Sequence, residues 1–174
     1  MEKRQPMGIE LVKRGIVTES DIEKALDYQK THPNKKIGDI INILGLCDSH
    51  VLINAVGEIL EEKAIYLQEK DIRIDVQEYI ALDLVKQYKA IPFEISSGKI
   101  KVCFADTSNK RSIDVIRLLL LNKGLVMEKY ISFETNIDKI IEALEGTSAG
   151  NIDINADVSG LVDSIIKNAM EKVR

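Results

Sequence analysis

Tryptophan is absent from this 174-residue chain, and aromatic residues make up only 5% of it. A core must therefore be built from Ile, Leu and Val, and there is little aromatic surface on which single-stranded bases could stack. A net charge of −4, with no long run of Lys or Arg, leaves no positive field to track a phosphate backbone, which argues against DNA or RNA as a partner. Cys47 and Cys103 are the only cysteines; they form no CxxC and no Cys/His cluster at ligand spacing, which fits a reduced compartment. His32 and His50 have no ligand-spaced neighbour and read as surface residues, so no metal site is expected. Long apolar runs are missing too. Met1 to Met7 is charged and polar, and no purely apolar block of the second half is longer than Leu118 to Leu121, so neither a secretory leader nor direct membrane insertion is expected. The phosphate-binding pattern GxxxxGK[ST] does not occur: Gly98-Lys99 is followed by Ile100, and Phe93 stands where the first glycine would be. No nucleophile and base pair can be singled out, and Glu58, Glu61 and Glu62 read as a solvated helix face. The chain is not expected to be an enzyme by itself, and no catalytic residue is assigned.

What the chain does have is an internal duplication. Gly8, Gly15, Ile22 and Leu26 answer to Gly38, Gly45, Leu52 and Val56 at an offset of 30 residues. In each copy a short apolar segment, Ile9 to Arg14 or Asp39 to Leu44, ends at a glycine, as a short helix closed by a left-handed cap would. Thr18 with Asp21, and Asp48 before Ser49, then read as N-caps of longer helices. Ile22, Ala25 and Leu26 in one, and Val51, Leu52, Ala55, Val56 and Ile59 in the other, fall at helical spacing. On periodicity alone Ile22, Leu26, Leu52 and Val56 are core residues.

From about Tyr66 the pattern changes. Val76 to Lys89 reads as helix; Ile91 to Ile95 and Lys99 to Ala105 read as a hairpin about Ser96-Ser97-Gly98. Helix over Ser112 to Lys123, an extended Val126 to Ile131 and helix over Thr135 to Leu144 complete a small α/β part. The expected fold class is α+β: a four-helix tandem-repeat subdomain at 1–65, an α/β subdomain with a short sheet at 66–145, a linker at 146–156 and a terminal helix at 157–174. That last helix carries the stripe Val158, Leu161, Val162, Ile165, Ile166, Ala169 and Met170 with no partner element in the sequence, and reads as the start of a following, truncated domain.

The two repeats resemble the paired 24-residue motifs of the MshEN domain, found at the amino terminus of bacterial type IV pilus assembly and type II secretion ATPases. The first copy runs from Pro6-Met7-Gly8 through Leu11-Val12, Gly15-Ile16, Ile22 and Leu26 to Gln29; the second runs from Lys36-Ile37-Gly38 through Ile41, Gly45-Leu46, Leu52 and Val56 to Ile59. Ala90-Ile91-Pro92-Phe93 and Lys101 to Asp106 resemble the family's strand segments. The chain departs from the motif at its opening Arg, replaced by Pro6 and Lys36, and at the closing Gln of the second copy, replaced by Ile59; Arg4 is a substitute cation for the first.

The resemblance implies a cytoplasmic regulatory domain that binds cyclic di-GMP. A ligand of two identical guanosine halves suits a protein of two similar repeats, with glycines giving close backbone approach and aliphatic residues an apolar platform. The implied half-sites are Met7, Gly8, Ile22, Leu26 and Gln29, then Lys36, Ile37, Gly38, Asp39, Leu52 and Val56. Asp39 also suits the first turn of its own short helix. ATP and magnesium would belong only to a full-length parent, whose C-terminal ATPase domain and inner-membrane platform proteins are the implied partners. The alternative is a docking module that holds no nucleotide and joins the ATPase to those proteins.

Overall fold

The computed structural model describes residues 4–150, with side chains through residue 147. These residues fall into two units, one running through Ile141 and a second that begins at Glu142. The first opens with four helices: α1 (Met7–Lys13), α2 (Glu19–Thr31), α3 (Ile37–Ile43) and α4 (Ser49–Leu60). The expected stops and caps are all present. Gly15 and Gly45 close α1 and α3 at φ +70° and +63°, a region open to glycine without a Cβ penalty. At the start of α2 the Thr18 side chain accepts from the Asp21 N–H while Asp21 Oδ2 accepts from the Thr18 N–H, a reciprocal capping box; Asp48 accepts from the Val51 N–H at the start of α4.

The helical core gathers Leu11, Val17, Ala25, Ile40, Ile41, Leu52, Ile53, Ala55 and Val56. Each large aliphatic side chain fully withdrawn from water contributes about 1.5–3 kcal/mol. Leu52 and Val56 are core residues as periodicity predicts, but Ile22 is half-buried and Leu26 is exposed. Helical spacing names a face without saying what will be laid against it, and α2, with Ala25 alone fully buried, presents a narrow inner stripe.

After a 3-10 turn at Glu69–Asp71 come α5 (Val76–Tyr79) and α6 (Leu82–Tyr88), where the sequence suggests one continuous helix. The break lies at Ile80, which is extended (φ −135°, ψ 120°) and fully buried. Burying that β-branched side chain outweighs the continuity of a helix this short. A hairpin follows, β1 (Ala90–Ser96) and β2 (Lys99–Phe104), antiparallel with a bulge between Pro92 and Glu94 and closed by Ser97 and Gly98, both at positive φ. Then come α7 (Lys110–Asn122), capped by Asn109, and β3 (Val126–Ile131), which pairs parallel to β2 in the order β1-β2-β3. The helix between β2 and β3 supplies the crossover that a parallel pair requires.

The last described element is α8 (Glu134–Gly150). The first five residues of the expected linker, 146–150, belong to this helix; residues 151–156 and the expected helix at 157–174 lie outside the described residues. In the second unit the Thr147 hydroxyl donates to the Ala143 carbonyl. Such back-bonding lets a polar side chain remain within a helix. Within the first unit the helical and α/β parts share one core, because Phe133, between β3 and α8, packs among the helical core residues.

Candidate functional site

A cavity of about 450 Å³ lies between the second repeat and the loops that follow β2 and β3. This size lies within the range of small-molecule pockets. Its apolar wall comes from Met7 on α1, Ile37 on α3, and Ile53, Val56 and Leu60 on α4, closed on the other side by Ile131 and Phe133. Polar groups converge from several elements: Gln29 at the end of α2, Lys36 and Asp39 at the start of α3, Asp106, Thr107 and Ser108 after β2, and Ser132 after β3.

Of the residues implied by the repeat, the cavity brings together Met7, Gln29, Lys36, Ile37, Gly38, Asp39 and Val56. Gly8, Ile22, Leu26 and Leu52 do not line it. Gly8 is buried against Ile22, whose Cδ1 lies 3.3 Å from where a Cβ would sit, so glycine serves helix packing there. Leu52 is inside the helical core, and Leu26 faces outward. Arg4 is also elsewhere: its guanidinium pairs with Glu61 at 3.1 Å, beside a second, polar depression that contains Arg14, Glu58 and Ile59. Its charge is already matched on that side of the helical unit.

The contributions from 105–108 and 131–133 are absent from the sequence-derived set. A polar turn after a strand is a general loop signal and does not say which helix it will face. Here the sheet carries both loops to one end, and that end meets α3 and α4.

The polar groups are tied down. Gln29 Nε2 donates to the Lys35 carbonyl at 2.9 Å, fixing the segment that leads into α3. Lys36 Nζ lies 3.2 Å from Asp106 Oδ1, and the Ser108 hydroxyl and N–H both donate to that same oxygen. Burial opposes the charge on Asp106, but the Ser108 bonds and Lys36 hold its pKa below the usual carboxylate value. Asp39 behaves oppositely. Burial pushes its carboxyl up to about 6, despite a hydrogen bond from the Glu134 N–H at 2.7 Å and the nearby Lys36 and Lys35. Asp39 therefore binds the start of α8, 95 residues along the chain, rather than only serving its own helix.

A tandem helical unit joined to a small mixed sheet, with a cavity where they meet, defines a ligand-sized site in a protein whose described residues include no helix long and apolar enough to cross a membrane. The MshEN domain family matches residues 63–151, just over half of the chain, and the chain belongs to that family. The match covers the α/β part; the duplicated helices precede it. Among solved structures, MshE with cdg, cyclic di-GMP, is 22% identical with a TM-score of 0.56 and covers 80% of this chain and 99% of that one. The N-terminal domain of XpsE is 21% identical with a TM-score of 0.51 over 82% of this chain and 97% of its own. At these identities the likeness is one of fold. No curated protein matches by sequence.

Proposed function

We propose that this chain is a cytoplasmic regulatory domain of a type IV pilus assembly or type II secretion ATPase, with cyclic di-GMP as its effector. The observation that carries the reading is the cavity, where Met7 and Gln29 of the first repeat meet Lys36, Ile37, Gly38, Asp39 and Val56 of the second. Its aliphatic walls suit the face of a guanine, and its amide, carboxylate and ammonium groups suit a base edge or phosphate. Regulation of an ATPase domain elsewhere in a longer parent requires the effector to bind one arrangement of the domain more tightly than another. The residues from 146 onward are the proposed connection to that motor, and inner-membrane platform proteins are the proposed further partners. ATP and magnesium would act in the parent's motor.

Calorimetric titration of the chain with cyclic di-GMP tests this, with GTP and cyclic di-AMP as controls. Saturable, guanine-selective heat is expected, and Gln29→Ala should weaken it by about ten- to a hundredfold, the effect of leaving a buried polar group unpaired. Absence of heat with ligand on the order of tens of micromolar would overturn the effector reading, since a regulatory ligand must bind at least that tightly to fill its site. The docking module without nucleotide would then stand. One observation favours it: Ile9 and Leu26 of the first repeat are exposed and do not line the cavity, which leaves apolar side chains available to a protein partner. Leu26→Asp, which lies outside the cavity, should leave cyclic di-GMP binding unchanged on the effector reading.

A further inference from the structure

Asp39 occupies an unusual position for a carboxylate. It is buried in the first turn of α3, lines the cavity, and accepts the Glu134 N–H at 2.7 Å. Phe133 precedes Glu134 and has no side-chain acceptor, so the N-terminal N–H of α8 draws its cap from a different part of the fold. The same side chain thus borders the cavity and fastens the helix. We propose that the Asp39–Glu134 contact is a proton-sensitive latch: with Asp39 neutral it holds the start of α8 against α3, and with Asp39 ionised it loosens as the carboxylate turns toward water in the cavity.

The surroundings fix the direction. The Glu134 N–H bond, Lys36 and Lys35 favour the charged form, while the Glu134 carboxylate opposes it. Lys36 is also drawn to Asp106 on the facing loop, which divides its attraction between two carboxylates. The other elements at this wall present Met7 from α1, Gln29 from α2 and Ile53, Val56 and Leu60 from α4, none of them ionisable. Burial is the largest influence, and it raises the carboxyl to about 6 in the closed arrangement. An opened, solvated Asp39 returns toward its ordinary value, so the closed form binds the proton more tightly, and by linkage the latch tightens as pH falls and loosens as pH rises through that range. A neutral carboxyl still accepts through its carbonyl oxygen, so protonation keeps the hydrogen bond and removes the buried charge.

Backbone amide exchange on the whole chain, corrected for the intrinsic pH dependence of exchange, tests the latch. The Glu134 amide should be about five-fold or more better protected near pH 5 than near pH 7.5, the sign set by proton linkage. In Asp39→Asn, which keeps an acceptor without a charge, the amide should stay protected at both pH values. As a second measurement, the Asp39 carboxyl carbon resonance and the Glu134 amide shift should titrate in the wild-type chain with one common midpoint near 6. A pH profile that is flat, that survives Asp39→Asn, or that is shared by the Val102 amide in the sheet would overturn the proposal, as would an Asp39 midpoint at the ordinary value of about 4. None of these readouts requires a ligand, so they stand apart from the calorimetry.

Discussion

At an offset of 30 residues, Leu26 of the first repeat corresponds to Val56 of the second, and Ile9 to Asp39. Leu26 and Ile9 are 47% and 49% exposed, whereas Val56 and Asp39 are 7% and 5% exposed. The two copies share helix stops and N-caps, so local conformation does not explain the difference. The loops at 105–108 and 131–133 lie opposite the second copy, and a cavity remains between them. A duplicated sequence has therefore been given two environments: a cavity wall where Asp39 and Asp106 have altered proton affinities, and an open face with apolar residues facing outward. Pseudo-symmetry of the chain does not carry over into two equivalent sites.

The largest break in this comparison is expected at the core. Leu52→Ala should lower the unfolding free energy by about 3 kcal/mol through lost transfer and a residual cavity, whereas Leu26→Ala should cost under about 1 kcal/mol; urea unfolding of both variants measures the contrast.

Asp39 comes next. Its pKa is raised from 3.8 to about 6 on folding, so between those values the folded state holds more protons than the unfolded one, and stability falls as pH rises through the window and then levels off. Asp39→Asn should therefore stabilise the protein by about 2 kcal/mol near pH 7.5, with the gain disappearing near pH 4; denaturant midpoints at the two pH values check this. Replacing Ile9, its exposed counterpart, should show no such pH dependence.

Gly57 separates the copies in another way. A Cβ there would lie 2.6 Å from Ala64 Cβ and 2.9 Å from the Glu62 carbonyl oxygen, so Gly57→Ala should cost about 2 kcal/mol by overpacking. Its counterpart Asp27 is exposed, and Asp27→Ala should change thermal stability by less than about 0.5 kcal/mol.

The smallest effect sharpens what the copies share. Thr18→Ala and Asp48→Ala should each cost about 1 kcal/mol, because each removes one N-cap bond, to a hydroxyl in one copy and to a carboxylate in the other; thermal unfolding of both variants measures the two costs.

Local chemistry was sufficient for much of the fold. Gly15 and Gly45, Thr18 with Asp21, Asp48, and the alternation about Ser97-Gly98 set helix ends and a hairpin through interactions spanning only a few residues, and such signals can be read directly along a chain. Ile80 was not legible, because a buried environment supplied by distant elements decides whether a helix continues through it. The site divides in the same manner. Met7, Gln29 and the run from Lys36 to Asp39 belong to the duplicated pattern, whereas Asp106, Ser108 and Phe133 join them only because the sheet brings its loops to one end of the helical unit. Periodicity assigned Leu26 and Val56 the same helical face; only tertiary packing covered one and left the other open. Sequence alone thus determined the elements and their caps, where the controlling forces are short-range. Burial of Asp39 and its reach to Glu134 were decided by the tertiary structure, because desolvation and a hydrogen bond across 95 residues exist only once the chain has closed on itself.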